Sequence, residues 1–158
     1  RGGARIGDAI LVTGAFGGAW RTERHLTFTP RIDEARALAA RAELHAMIDV
    51  SDGLALDLSR VCRASGVAAE VVAAAVPVAR DAAAGRDIDP LQAALGDGED
   101  YELIFCIAPD QADALLADPP CECPLTRIGT VSAGEGMTLI RPDGTREPLE
   151  PAGWEHGS

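Results

Sequence analysis

The chain has 158 residues, 47% hydrophobic and 25% charged, which suits one domain whose core needs neither disulfide nor metal to hold it together. Its formal net charge of -11, from 14 Lys and Arg against 25 Asp and Glu, repels nucleic acid and anionic membranes and excludes both as expected partners. A phosphorylated ligand stays compatible with such a chain if divalent cations lie between the two sets of negative charge, and no apolar run is long enough to span a bilayer.

Residues 8–13 form an apolar run closed by Gly14 and read as a buried strand leading into a loop with Gly17 and Gly18. Those glycines suit a phosphate cradle or plain turns, and the lack of a following Lys-Ser/Thr or full dinucleotide pattern favours turns. Residues 20–24 read as a polar connection. Thr29-Pro30 has the form of a cap followed by proline at the first helical position, and Ile32, Ala35, Leu38, Ala39 and Ala42 then make one apolar helix face.

A second strand is expected over residues 45–50. Leu54, Leu58, Val61, Cys62 and Ser65 recur at helical spacing beyond it, so the chain turns from strand to helix at Ser51-Asp52-Gly53 and the helix stops at Gly66. A third strand follows at 68–72, then a short helix at 77–84 and another at 89–96, where Asp89 caps, Pro90 leads and Gly96 terminates. Residues 96–102 make a glycine turn studded with acids that runs into an apolar strand. A helix at 109–117, strands at 125–131 and 137–141, and a turn at 142–145 before a short last strand complete the pattern. The sum is an α+β fold, a mixed β-sheet with helices packed mainly on one face.

Two stretches carry chemistry. At the strand-to-helix turn, Asp49 and Asp52 offer hard oxygen ligands suited to Mg2+, Ser51 offers a hydroxyl, and the first helical N–H groups favour phosphate oxygens. The plainer reading is that Ser51 or Asp52 caps the helix and Asp49 is solvated. Gly98-Glu99-Asp100-Tyr101-Glu102 is the second stretch, and acids in a solvated turn are equally ordinary. Cys62 and Cys106 fall on apolar faces as small core residues, Cys121-x-Cys123 lacks the spacing of a zinc knuckle, and a reducing cytoplasm suits all four thiols.

Taken together, residues 48–54, 98–103 and the Gly153-Trp154-Glu155-His156 tail resemble, in order and separation, the C-terminal half of thiamine-monophosphate kinases. These belong with the aminoimidazole ribonucleotide and selenophosphate synthetases. Looser matches at Arg1-Gly2-Gly3-Ala4-Arg5-Ile6-Gly7-Asp8 and His25-Leu26 extend the resemblance over the whole chain. It implies transfer of the γ-phosphoryl group of ATP to thiamine monophosphate, giving thiamine diphosphate, with Mg2+ as cofactor. By position it implies Asp49 and Asp52 as metal ligands, Ser51 and Arg1 as ATP contacts, and Glu99 and Trp154 as substrate contacts. No residue is expected to act as nucleophile or general base.

The resemblance further implies that residues 1–158 are the single C-terminal domain of a longer two-domain kinase. The ATP- and metal-binding N-terminal half, which would also make the homodimer, is absent from this chain, and the fragment alone is expected to be inactive. Arg1, which is not a methionine, agrees with that expectation. Departures from the family are the short segment from Ala15 to Arg24, Asp97 where a glycine is usual, and the Trp-Glu-His-Gly tail. A related ATP-dependent synthetase, or a non-catalytic module for small ligands or association, are the alternatives.

Overall fold

The computed structural model describes residues 1–154; Glu155 and His156 of the tail match lie outside them. Seven strands form one sheet: β1 (Ala9–Thr13), β2 (Ala46–Asp49), β3 (Ala68–Val72), β4 (Leu103–Ile107), β5 (Leu125–Ser132), β6 (Met137–Ile140) and β7 (Arg146–Pro148). Their order is β2-β4-β1-β5-β3-β6-β7, with every pairing antiparallel except β3 with β6. The helices are α1 (Ile32–Arg41), α2 (Leu54–Ser65), α3 (Pro90–Gly96) and α4 (Pro109–Ala117). The expected α+β class with a mixed sheet is what forms.

Strand side chains alternate between faces, and that alternation divides the core. Ile10 and Val12 of β1 join Ile104 and Cys106 of β4 in the larger cluster, together with Leu54, Leu58, Val61 and Cys62 from α2 and Ala94 and Leu95 from α3. Ala9 and Leu11 join Leu103, Phe105 and Ile107 in a smaller one, with Leu38 from α1 and Ala112 and Leu115 from α4. The main layer is therefore the α2 side, and a lighter one lies opposite. Strand β1 sits between β4 and β5 with both faces covered, which is why its five residues are buried and its sequence is apolar throughout.

Most expected elements form within a residue or two. α2 ends at Gly66 in the left-handed region, and the Asp89 carboxylate accepts the Leu91 N–H at the head of α3. α1 begins at Ile32, two residues later than the Thr29-Pro30 pattern predicts. Arg31 occupies the N-cap with its guanidinium committed to Glu102 and Glu34.

The helix expected at 77–84 does not form. Val78 instead bridges Phe16, with Phe16 N–H donating to Pro77 O and Ala79 N–H to Phe16 O, and the chain continues in turns. These tertiary backbone bonds outcompete a helix built on alanine propensity.

Candidate functional site

The site forms where three distant segments are stitched by backbone. Glu99 N–H donates to Ser51 O at 2.8 Å, Tyr101 N–H to Val50 O at 2.8 Å, and Trp154 N–H to Asp52 O at 2.8 Å. Val50 N–H returns a bond to Glu102 O at 2.8 Å, so the strand-to-helix turn and the acidic turn lie side by side. The approach is close enough to require glycine. A Cβ on Gly98 would sit 2.6 Å from Ser51 O, and Gly53, at φ +126°, has Gly96 O 3.0 Å from where its Cβ would be.

Neither Ser51 nor Asp52 caps α2. Gly53 holds the N-cap position without a side-chain bond, and the buried carboxylate of Asp57 reaches back to accept the N–H groups of Ser51 at 3.1 Å and Asp52 at 3.0 Å. Those two donors are therefore unavailable to a phosphate. Asp57 also pairs with Arg60, whose Nη1 contacts Asp52 Oδ2 as well. The guanidinium is held protonated above its ordinary value by its hydrogen bond to Asp52, with Asp57 adding to it. Asp49 ends β2 exposed, without an ion pair among the described residues, and Ser51 Oγ has no hydrogen-bond partner among them.

Glu99 and Tyr101 both hold positive φ, +68° and +52°. The Tyr101 hydroxyl donates to Glu99 Oε2 at 2.8 Å, and its ring stacks on Phe28 with centroids 4.1 Å apart and planes 13° off parallel. Its phenol is pushed above the ordinary value by that bond to Glu99, and Glu99, Asp49 and Asp52 add to it through their negative charge. All three acids thus act on one phenol. The Trp154 side chain is 68% exposed and so is not held by packing.

Arg1 stands apart. Its neighbour Gly2 lies against Ala64 at the far end of α2, and a helix of 12 residues separates that end from Ser51 by roughly 18 Å.

The remaining acids of the second stretch are structural, which sequence reading missed because they resemble a solvated turn. Buried Glu102 accepts from Thr13 Oγ1 at 2.6 Å and from Arg31 Nε and Nη2, each at 2.8 Å. Buried Asp100 accepts from Gly17 N–H at about 3.0 Å and from Arg24, while Asp97 accepts from Gly18 N–H at 2.9 Å and pairs with Arg86. Gly17 and Gly18 do present N–H groups to anions, and the anions are the protein's own carboxylates.

Burial pushes the Asp100 carboxyl up to about 6, more than the Gly17 N–H and Arg24 pull it down. A folded value above the unfolded one means that protonated Asp100 favours the fold at low pH, and that contribution fades as pH rises from about 4 through about 6. Relative to Asp100→Asn, the wild type is expected to lose up to about 3 kcal/mol between pH 4 and pH 7 in paired urea melts. A difference independent of pH would contradict this.

A magnesium ion prefers six oxygens in near-octahedral array. Among the described residues no group of three or more His, Cys, Asp or Glu is placed to hold a metal alone. Asp49 and Asp52 are hard oxygen donors on the two sides of the strand-to-helix turn, a donor chemistry that suits Mg2+, and an ion there would need polyphosphate, water or protein outside this chain to complete its shell. The cysteines are free, and burial pushes the thiols of Cys62 to about 11 and Cys106 to about 12, which keeps them protonated and inert. No helix among the described residues is long and apolar enough to cross a membrane.

Residues 20–141 match the family described as AIR synthase related protein, C-terminal domain. The thiamine-monophosphate kinase of Rhodopirellula baltica is 41% identical over 162 residues, covering 99% of this chain and 50% of that protein. The crystal structure of thiamine-monophosphate kinase from Stenotrophomonas maltophilia K279a is 36% identical with a TM-score of 0.73, over 90% of this chain and 52% of that one. A structure described as AaThiL complexed with AMPPCP and TMP is 28% identical with a TM-score of 0.74, over 99% and 53%. The chain thus spans about half the length of the relatives it matches.

Proposed function

The chain belongs to the AIR synthase related C-terminal domain family and matches about half the length of thiamine-monophosphate kinases, and from that premise we propose that it is the C-terminal half of a two-domain enzyme that phosphorylates thiamine monophosphate with ATP and Mg2+. The observation that carries the reading is the convergence of Asp49, Ser51 and Asp52 with Glu99 and Trp154 through the three backbone bonds from Glu99, Tyr101 and Trp154. Likeness to the complex with AMPPCP and TMP supports the same ligands here. ATP, the rest of the metal shell and the pairing of two chains are assigned to the half this chain does not contain.

The acceptor in this reaction is a phosphate oxygen already ionised near neutral pH. It needs no general base, and the barrier falls by alignment of the two phosphates and by neutralisation of their charge. The metal supplies that neutralisation when bound. Asp49 and Asp52 anchor it at the head of α2. Arg60 pairs with Asp57 as well as with Asp52, so the buried acid would stay compensated with the Asp52 carboxylate on a metal. Ser51 Oγ is free to donate to a polyphosphate oxygen. Arg1, at the other end of α2, gains no support from this geometry as an ATP contact.

Glu99 offers a countercharge and acceptor to the cationic thiazolium and the aminopyrimidine, and the exposed Trp154 ring offers them a face. The test is to incubate the full-length protein with ATP, Mg2+ and thiamine monophosphate and look for thiamine diphosphate. No product from a protein that still binds Mg2+ would favour a non-catalytic module. Trp154→Ala is expected to raise KM for thiamine monophosphate about ten-fold, the loss of one desolvated cation–π contact or stack, with little change in Tm. A fall in Tm with KM unchanged would make Trp154 a packing residue.

A further inference from the structure

Two residues in the acidic turn hold backbone conformations that L side chains avoid, Glu99 at φ +68° and Tyr101 at φ +52°. Each is unfavourable for a residue with a side chain and persists only where surrounding bonds over-determine it. Here the bonds are visible. Glu99 and Tyr101 N–H groups are tied to Ser51 O and Val50 O, while Asp100 between them is locked by Gly17 and Arg24. What the conformation achieves is local and specific: it turns the side chains of residues 99 and 101 together, with the hydroxyl of one on the carboxylate of the other.

The Tyr101 ring is fixed from its other face by Phe28, which arrives from the segment before α1. The stacked Phe28 and Tyr101 line a groove of about 640 Å³ together with Ile32, Ala35, Met47 and Asp49. Tyr101 therefore lines the groove together with Asp49, while its hydroxyl holds Glu99.

We propose that Tyr101 is a positioning residue for acceptor specificity: its O–H pins Glu99 Oε2, so that Oε1 is presented in one orientation to the cationic heteroaromatic acceptor, and Phe28 holds the ring that carries the hydroxyl. The proposal rests on the kinase reading above. A carboxylate on a flexible glutamate stem loses rotamer freedom when it binds, and a hydroxyl that fixes it beforehand removes part of that loss. A phenol is protonated at neutral pH, and the bond to Glu99 raises it further, so the hydroxyl donates throughout the neutral range. Such a residue sharpens binding of the acceptor and leaves the phosphoryl transfer itself alone.

Tyr101→Phe keeps the ring and its stack and removes only the donor. In the full-length enzyme it is expected to raise KM and Kd for thiamine monophosphate about ten-fold, the scale of one hydrogen bond to a charged group, with kcat and KM for ATP changed less than about two-fold. In a Glu99→Ala background the same change is expected to add nothing further, because the hydroxyl has lost its acceptor and the two residues act as one unit. Phe28→Leu, which loosens the ring without touching the hydroxyl, is expected to give the same pattern more weakly.

An unaltered KM and Kd in Tyr101→Phe would overturn the proposal, as would an effect that persists in full in the Glu99→Ala background. Either result leaves the kinase reading standing. A wild-type protein that neither binds nor converts thiamine monophosphate would remove both.

Discussion

In the full-length enzyme, Asp49→Asn is expected to lower kcat/KM by about 100-fold or more, equivalent to about 3 kcal/mol of transition-state stabilisation, while Tm moves by no more than about 2 °C. The separation of the two effects follows from where Asp49 sits. It ends β2 with its side chain exposed and no ion pair among the described residues, so its carboxylate contributes little to the fold. On the proposed function its charge would act in catalysis through a metal that neutralises the transferring phosphoryl group. Steady-state kinetics over a Mg2+ titration, with thermal melts alongside, provide the check. Activity equal to wild type would remove Asp49 from the metal site, whereas partial rescue at high Mg2+ would strengthen the assignment. Asp52→Asn is a less clean probe, because it also breaks the pair with Arg60.

The second large effect falls on stability. Asp57→Ala is expected to cost roughly 3 kcal/mol, or roughly 6–12 °C in Tm for a chain of this size. Its side chain is 1% exposed, and its carboxylate serves Ser51 N–H, Asp52 N–H and Arg60 together. Alanine would leave two backbone donors without their acceptor and a partly buried guanidinium with Asp52 alone. Arg60, at 29% exposed, recovers some solvation, which holds the cost at the lower end for a broken buried pair. Chemical denaturation of wild type and variant measures it. A loss below about 1 kcal/mol would mean the turn is held by the neighbouring backbone bonds without Asp57.

Which of these residues could be seen in advance depended on whether their role was local. The strand-to-helix turn at Ser51, Asp52 and Gly53 was legible because the change from alternation to helical spacing is a local pattern, and β1 was legible because a central strand covered on both faces has to be apolar along its length. Asp57 was not, since a carboxylate in the first turn of a helix normally faces water; only the fold shows it turning back beneath Ser51. Asp100 and Glu102 were read as part of a solvated turn for the same reason, their partners Arg24, Arg31 and Thr13 lying some 70 to 90 residues away. The helix expected at 77–84 fails on the same ground, as alanine propensity is local and the bridge to Phe16 is not. Glu99 and Tyr101 were singled out by resemblance, but their left-handed backbone has no signature in a stretch whose glycine lies elsewhere.

The placement of β1 also bears on how the chain reaches this state. Its pairing partners β4 and β5 begin some 90 to 115 residues downstream, so an apolar, β-prone segment must wait for that much further chain before either of its edges is covered. Loop-closure entropy is spent before the reward arrives, which places refolding among the slower, millisecond-to-second domains. During synthesis the same delay leaves Ala9–Thr13 as the stretch in greatest need of shielding from other nascent copies.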